Sequence, residues 1–306
     1  MDIINFNGYK SPSQRVIAIS SQKGGVGKTT TAINIAAFLC ELGFNIILID
    51  LDEQCNCTSG VGIDYTNVNP SIYDILISNK NPNKIILNTP YKNLKIIPSS
   101  WKLSNIESEL AFLNGKEFRL RDAIEKIEYN FDFIIIDCPA SLGILTINAF
   151  AASKEILIPV QCEFYAIEGI SRLIETINLV KSKFNNTLEI LGIVLTMYTR
   201  TRLSNQVIKK INEYFTGKIF KTTIPKNVCL AEAPSLGKPI IAYNPLCKGA
   251  LAYKDLTKEI IEGNTIADRE HSVFLDRLKD FWDTGDPPRH AVKRYKEGFS
   301  VSRSEL

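Results

Sequence analysis

Lys23-Gly24-Gly25-Val26-Gly27-Lys28-Thr29-Thr30 is the stretch that decides the fold, and its flanks give it meaning. Val16-Ile17-Ala18-Ile19-Ser20 before it is a short apolar, β-branched run that reads as a buried strand, and Thr29 to Leu42 after it repeats apolar residues at helical spacing. A glycine-rich string between strand and helix is a phosphate-binding loop. Gly24, Gly25 and Gly27 open backbone conformations closed to other residues, and the helix that follows turns its positive dipole end toward an anion. In this pattern the Lys28 ammonium reaches the β/γ-phosphates, Thr29 binds Mg²⁺ and Thr30 is expected to add a phosphate hydrogen bond. Val26 supplies backbone to the same cradle. Lys23, five residues ahead of Lys28, is additional to the ordinary pattern.

Two further strands end in carboxylates. Ile46-Ile47-Leu48-Ile49 runs into Asp50-Leu51-Asp52, and Phe133-Ile134-Ile135-Ile136 runs into Asp137-Cys138-Pro139. Ligands of open parallel sheets bind beyond the carboxyl ends of the strands, so these aspartates should converge on phosphates and magnesium. Asp137 reads as a Walker-B residue, with Thr29 and Asp50 as its candidate companions at the metal. For Asp50 and Asp52 the alternative is a solvated turn carboxylate; four preceding apolar residues make that alternative weaker for Asp137.

Along the rest of the chain strands and helices alternate. Leu94 to Pro98, Ile156 to Val160 and Leu188 to Met197 read as strands; Phe118 to Tyr129, Ala166 to Phe184 and Gly249 to Ile261 read as helices. Thr58 to Asn93 is rich in Asn, Pro and Ser, with only short apolar stretches. The pattern predicts an α/β fold, a mostly parallel doubly wound sheet with helices on both faces, of the P-loop NTPase type.

These residues together carry a resemblance. The loop Lys23 to Thr30, then Asp50-Leu51-Asp52-Glu53-Gln54-Cys55-Asn56, Asp137-Cys138-Pro139-Ala140-Ser141, and Ile224-Pro225-Lys226-Asn227-Val228 with Glu232-Ala233-Pro234-Ser235 resemble the ParA/Soj-type partition ATPases, a deviant-Walker group that includes MinD. The resemblance runs from about residue 14 to 262 and implies an ATPase domain over 1–262. It implies ATP and Mg²⁺ as cofactors and a homodimer that sandwiches two ATP molecules. Lys23 would cross to the partner's nucleotide, Asp52 would orient the attacking water and Asp137 would serve the magnesium. With Lys28, Lys23 and Asp52 are thus the candidate catalytic residues, since a lysine supplied in trans can do the work of an arginine finger. Pro225 and Asn227 are expected at the adenine side, with a plain turn asparagine as the alternative for Asn227.

The resemblance also implies nonspecific DNA binding by the ATP-bound dimer, release triggered by a ParB-like centromere-binding protein, and a cytoplasmic, nucleoid-associated location. Arg200 and Lys226 best match positions where the family carries arginine at its DNA surface, within a wider set of Arg202, Lys209, Lys210, Lys218, Lys221 and Lys238. The sequence departs from the pattern at four places. Lys226 replaces an arginine, Cys229 stands where a second basic residue is common, and Glu53 and Cys55 replace proline and glycine after Asp52.

Composition bounds these readings. A chain of 306 residues can bury a large core, and a net charge of +3 is so nearly balanced that DNA affinity must come from a local patch. Seven scattered cysteines read as reduced cytosolic thiols, and Cys55-x-Cys57 without a second pair is a poor metal signature. No run of apolar residues is long enough to span a bilayer, and the first residues do not form a secretory signal. About fifteen residues precede the first strand, too few for an operator-binding helix-turn-helix domain. Residues 263–306 change in character and read as an appendage: an amphipathic helix over Asp268 to Trp282, then a polar tail. A MinD-like, membrane-associated ATPase is the alternative function, but the helix carries Asp268, Glu270, Asp276, Asp280 and Asp283 against Arg269, Arg277 and Lys279, which opposes anionic lipid and makes membrane targeting the weaker expectation.

Overall fold

The structure, a computed structural model, describes residues 14–162, 166–199 and 218–262, with isolated positions 201, 204, 206 and 211. Among the described residues eight strands form one sheet: β1 (Arg15–Ile19), β2 (Ile46–Asp50), β3 (Leu87–Asn88), β4 (Leu94–Ile97), β5 (Phe133–Asp137), β6 (Glu155–Gln161), β7 (Glu189–Tyr198) and β8 (Ile219–Pro225), in the order β3-β4-β2-β5-β1-β6-β7-β8. Every described pairing is parallel except β3 with β4, where a short edge strand turns back. The expected doubly wound α/β fold is therefore observed.

The pleat divides the core in two. Val16 and Ala18 of β1, Ile47 and Ile49 of β2, and Ile134 and Ile136 of β5 face one side. Ile17 and Ile19, Ile46 and Leu48, and Phe133 and Ile135 face the other. Strands apolar on both faces need cover on both, and the chain supplies it. One side is packed by α3 (Ile72–Ser78), α4 (Ile106–Leu110), α5 (Arg119–Ile124), α6 (Ile144–Ala152) and α7 (Ala166–Lys183). The other is covered by α1 (Lys28–Glu41), α2 (Asn56–Gly60), α8 (Val228–Glu232), α9 (Ile240–Tyr243) and α10 (Lys248–Glu262). At the N-terminal ends of the strands, Arg15 of β1 donates to both carboxylate oxygens of Glu155 on β6, at 2.7 and 2.9 Å, and to the Ile260 carbonyl of α10 at 3.0 Å. The opposite end of the sheet is left for chemistry.

Several elements differ from the sequence reading. The helix expected over Phe118 to Tyr129 is α5, ending at Ile124 after a 3₁₀ turn over Lys116–Phe118. Thr58 to Asn93 holds most of α2 together with α3 and β3, all too short to show a period. α6, Ile-Leu-Thr-Ile-Asn-Ala-Phe-Ala-Ala, was not anticipated because it lacks a polar face, its Thr146 and Asn148 being buried with the apolar residues. The amphipathic helix and tail expected at 263–306 lie outside the described residues.

Candidate nucleotide site

The loop between β1 and α1 is built as its glycines require. Gly25 and Gly27 take φ of 73° and 89°, the left-handed region that a side chain resists. Between them Val26 is buried, and its carbonyl accepts a 2.8 Å hydrogen bond from the Thr196 hydroxyl of β7. α1 is held as firmly. Asn34 donates to the Thr30 carbonyl at 2.8 Å and accepts from the Ile240 N–H of α9 at 2.7 Å, while the Thr31 hydroxyl lies 3.0 Å from the Tyr253 hydroxyl of α10. The first turn of α1, with Lys28, Thr29 and Thr30, is thus fixed before any anion arrives, which lowers the ordering cost of binding.

The two lysines differ in environment. Lys28 is buried, whereas Lys23 is exposed and its ammonium donates to Gln161 Oε1, at the end of β6, over 3.3 Å. One lysine points into the site and the other stands at its rim.

Parallel register places Asp50 and Asp137 side by side at the ends of β2 and β5. Both are fully buried, yet their surroundings differ. Asp50 Oδ2 accepts from the Thr58 N–H at 2.8 Å and the Thr58 hydroxyl at 2.7 Å, and Oδ1 accepts from the Asp52 N–H at 3.1 Å. The Thr58 hydroxyl in turn accepts from the Ser99 N–H at 3.0 Å, and the Ser99 hydroxyl donates to the Asp52 carbonyl at 2.6 Å. Burial pushes the Asp50 carboxyl up to about 6, against the pull of those hydrogen bonds. Asp50, expected at the metal, is engaged in holding the loop that carries Asp52. Asp52 itself is half-buried and accepts from the Gln54 N–H at 3.1 Å.

Asp137 has no such support: neither carboxylate oxygen has a hydrogen-bond partner. Burial and the neighbouring Asp50 charge raise its carboxyl well above the ordinary range, opposed by the nearby Thr29 hydroxyl and Lys28 ammonium. A buried, unsatisfied carboxylate beside a hydroxyl fits a hard cation. Mg²⁺ is commonly held by one or two side chains together with phosphate oxygens.

Beyond β8, Asn227 occupies the N-cap position of α8 without capping it, and its buried Oδ1 lacks a partner. Pro225 is half-buried, and Lys226 is exposed, its N–H donating to the Tyr198 carbonyl at 3.2 Å. Lys221 and Lys238 are also exposed, whereas Arg200, Arg202, Lys209 and Lys210 lie outside the described residues. The reading of the sequence missed Thr58, Ser99, Thr196 and Gln161. Thr196, a polar residue inside the apolar β7 run, carried a signal, because a buried hydroxyl needs a partner; the other three carried none.

Fold and site define a P-loop nucleotide-binding protein with a second lysine at the loop's entrance. A family model described as an AAA domain matches residues 14–190. The chain is 49% identical to the Bacillus subtilis sporulation initiation inhibitor protein Soj over 80% of its own length and 98% of that protein's. It is 44% identical to the Myxococcus xanthus chromosome partitioning protein ParA over 82% of its length and 89% of that protein's. Among solved structures it is similar to cobyrinic acid a,c-diamide synthase from Mycobacterium smegmatis with bound ATP analogue and magnesium, at TM-score 0.71 and 30% identity, covering 90% of this chain and 98% of that one. The chain belongs to the ParA/Soj family of chromosome-partitioning ATPases, within the MinD/ParA superfamily.

Proposed function

We propose that this chain is a Mg²⁺-dependent ATPase that segregates DNA, chromosomal or plasmid, by switching between an ATP-bound dimer on DNA and a released form. The observation that carries the reading is the orphaned Asp137 carboxylate beside Lys28 and Thr29, at the mouth of a preformed phosphate loop. Thr29 and Asp137 would hold the metal, which when bound supplies charge neutralisation at the transferring phosphoryl group. Backbone of Gly24 to Gly27, with Lys28 and Thr30, binds the phosphates; Pro225 and Asn227 lie at the base. Asp52 orients water, kept in place by the Asp50–Thr58–Ser99 network.

Lys23 is suited to act across a dimer because it is exposed at the rim rather than turned inward. The DNA surface is centred on the exposed Lys226 at the same end, with Arg200 its proposed companion, and a ParB-like protein stimulates hydrolysis. No described helix is long and apolar enough to cross a membrane.

The test measures capture on nonspecific duplex DNA and on anionic liposomes side by side, with ATP, ADP or no nucleotide. ATP-dependent capture on DNA is expected, falling steeply with salt. Capture on liposomes alone would replace this reading with the MinD-like one. Lys23→Ala should still bind ATP but lose hydrolysis by on the order of 10³-fold or more, the scale of an arginine finger.

A further inference from the structure

Two thiols of this chain have no part in the site as described, and they stand together. Cys229 lies in the first turn of α8, two residues beyond Asn227; Cys247 immediately precedes α10. Both are free and half-buried. Asn244 bridges them: its side-chain amide lies 3.8 Å from Cys229 Sγ, and its carbonyl accepts the Cys247 N–H at 3.3 Å. α8 sits so close on α10 that a Cβ at Gly249 would lie 2.7 Å from Leu230 Cγ. The other thiols are less open to a reagent. Cys55, Cys57, Cys138 and Cys162 are buried, and burial with the Glu41 charge pushes the Cys40 thiol up to about 12.

We propose that Cys229 and Cys247 are a modification site, forming a reversible intramolecular disulfide that weakens nucleotide binding. The oxidant is a low-molecular-weight disulfide. One thiolate attacks it and expels a thiol, leaving a mixed disulfide on the protein; the second thiolate attacks the protein sulfur and expels the other thiol. Two protein thiols are oxidised, one disulfide is reduced, and both protons leave on the released thiols. The bond demands that the two Cβ atoms approach to about 3.8 Å. Cys247 stands in the turn before α10, and closing the bond shifts the single short turn of α8. Its movement carries Asn227 away from the base.

The effect on ATP rests on the proposed role of Asn227, and the experiment separates the two. The full-length protein is treated with oxidised glutathione, and tryptic peptides are mapped without reduction. A fluorescent ATP analogue with Mg²⁺ is titrated before oxidation, after it, and after dithiothreitol. A peptide joining Cys229 to Cys247 is expected, with affinity falling about fivefold, the loss of one hydrogen bond, and recovering on reduction. Cys229→Ser and Cys247→Ser should bind the analogue normally and be insensitive to the oxidant. Absence of the joined peptide, or its formation with unchanged affinity, would overturn the proposal. A reduced Asn227→Ala protein with unaltered affinity would instead overturn the role of Asn227, whatever the peptide map shows.

Discussion

The ends of β2 and β5 lie in register and each presents a buried aspartate, but Asp50 accepts three hydrogen bonds and Asp137 none. The same residue type at neighbouring strand ends has been put to opposite uses. At β2 the protein satisfies its own carboxylate, and what it gains is a fixed loop from Asp52 to Thr58. At β5 it leaves the carboxylate unsatisfied, and a folded protein sustains such a group only where something outside the chain completes it. Burial alone therefore does not identify a ligand-binding carboxylate; the state of its lone pairs does.

The largest effect should come from Asp137→Asn. Removing the charge proposed to serve the metal should lower ATP turnover by on the order of 10²–10³-fold, the several kcal/mol that a positioned cation contributes. The same variant should be the more stable protein without nucleotide, by about 1–3 kcal/mol, because an unpaired buried charge is gone. The sign follows from the raised carboxyl. Its neutral form is the one the fold prefers, so its contribution is intact below the unfolded value of about 4 and is lost as pH rises through the folded one. Thermal unfolding with EDTA, compared between the two proteins at acid and neutral pH, checks this: the gap should widen with pH. A destabilised Asp137→Asn protein would mean that Asp137 is as well satisfied as Asp50.

Thr58→Val breaks the comparison from the other side. It removes the hydroxyl that donates to Asp50 and accepts from Ser99, and so loosens the loop carrying Asp52 without touching the phosphate cradle. Turnover should fall about tenfold, the lower part of the cost of a lost hydrogen bond to a charged group, with KM for ATP unchanged. Thr58→Ser should restore it. Because that hydroxyl lowers the Asp50 carboxyl against the effect of burial, its loss should raise the carboxyl further and move the acid limb of the pH–rate profile upward. An unmoved limb would detach Asp50 from catalysis.

How far the sequence carried is itself explained by these ends. The strand–loop–helix over Val16 to Leu42 was readable because three signals coincide: an unbroken apolar run, glycines at constrained positions, and a helical period. Asp137 stands out in the sequence because its strand is apolar on both faces, so any charge at its end needs a reason. Asp50 reads as a metal ligand because sequence shows that a carboxylate is present but not what donates to it; Thr58 and Ser99 come from an aperiodic stretch and an irregular loop. α6 and β8 escaped for a related cause. In α6 the polar Thr146 and Asn148 are turned inward, and in β8 the buried side is a single Ile224.

The smallest effect tests the loop between the two carboxylates. Cys55 takes φ 54° and is 1% exposed, so a β-carbon sits in a conformation that favours glycine, inside the turn whose backbone bonds to Asp52. Comparing Cys55→Gly with Cys55→Ala removes the sulfur from both and leaves only the backbone preference. Away from such positions glycine is the less stable by about 0.5–1 kcal/mol. Here relief of the left-handed strain, about 1–2 kcal/mol, should reverse the order and leave the glycine variant ahead by about 1 kcal/mol. For a domain of this size that is a difference of about 2–4 °C in thermal midpoint. If alanine proves the more stable, the turn is not strained, and the departure from glycine at Cys55 has no conformational cost.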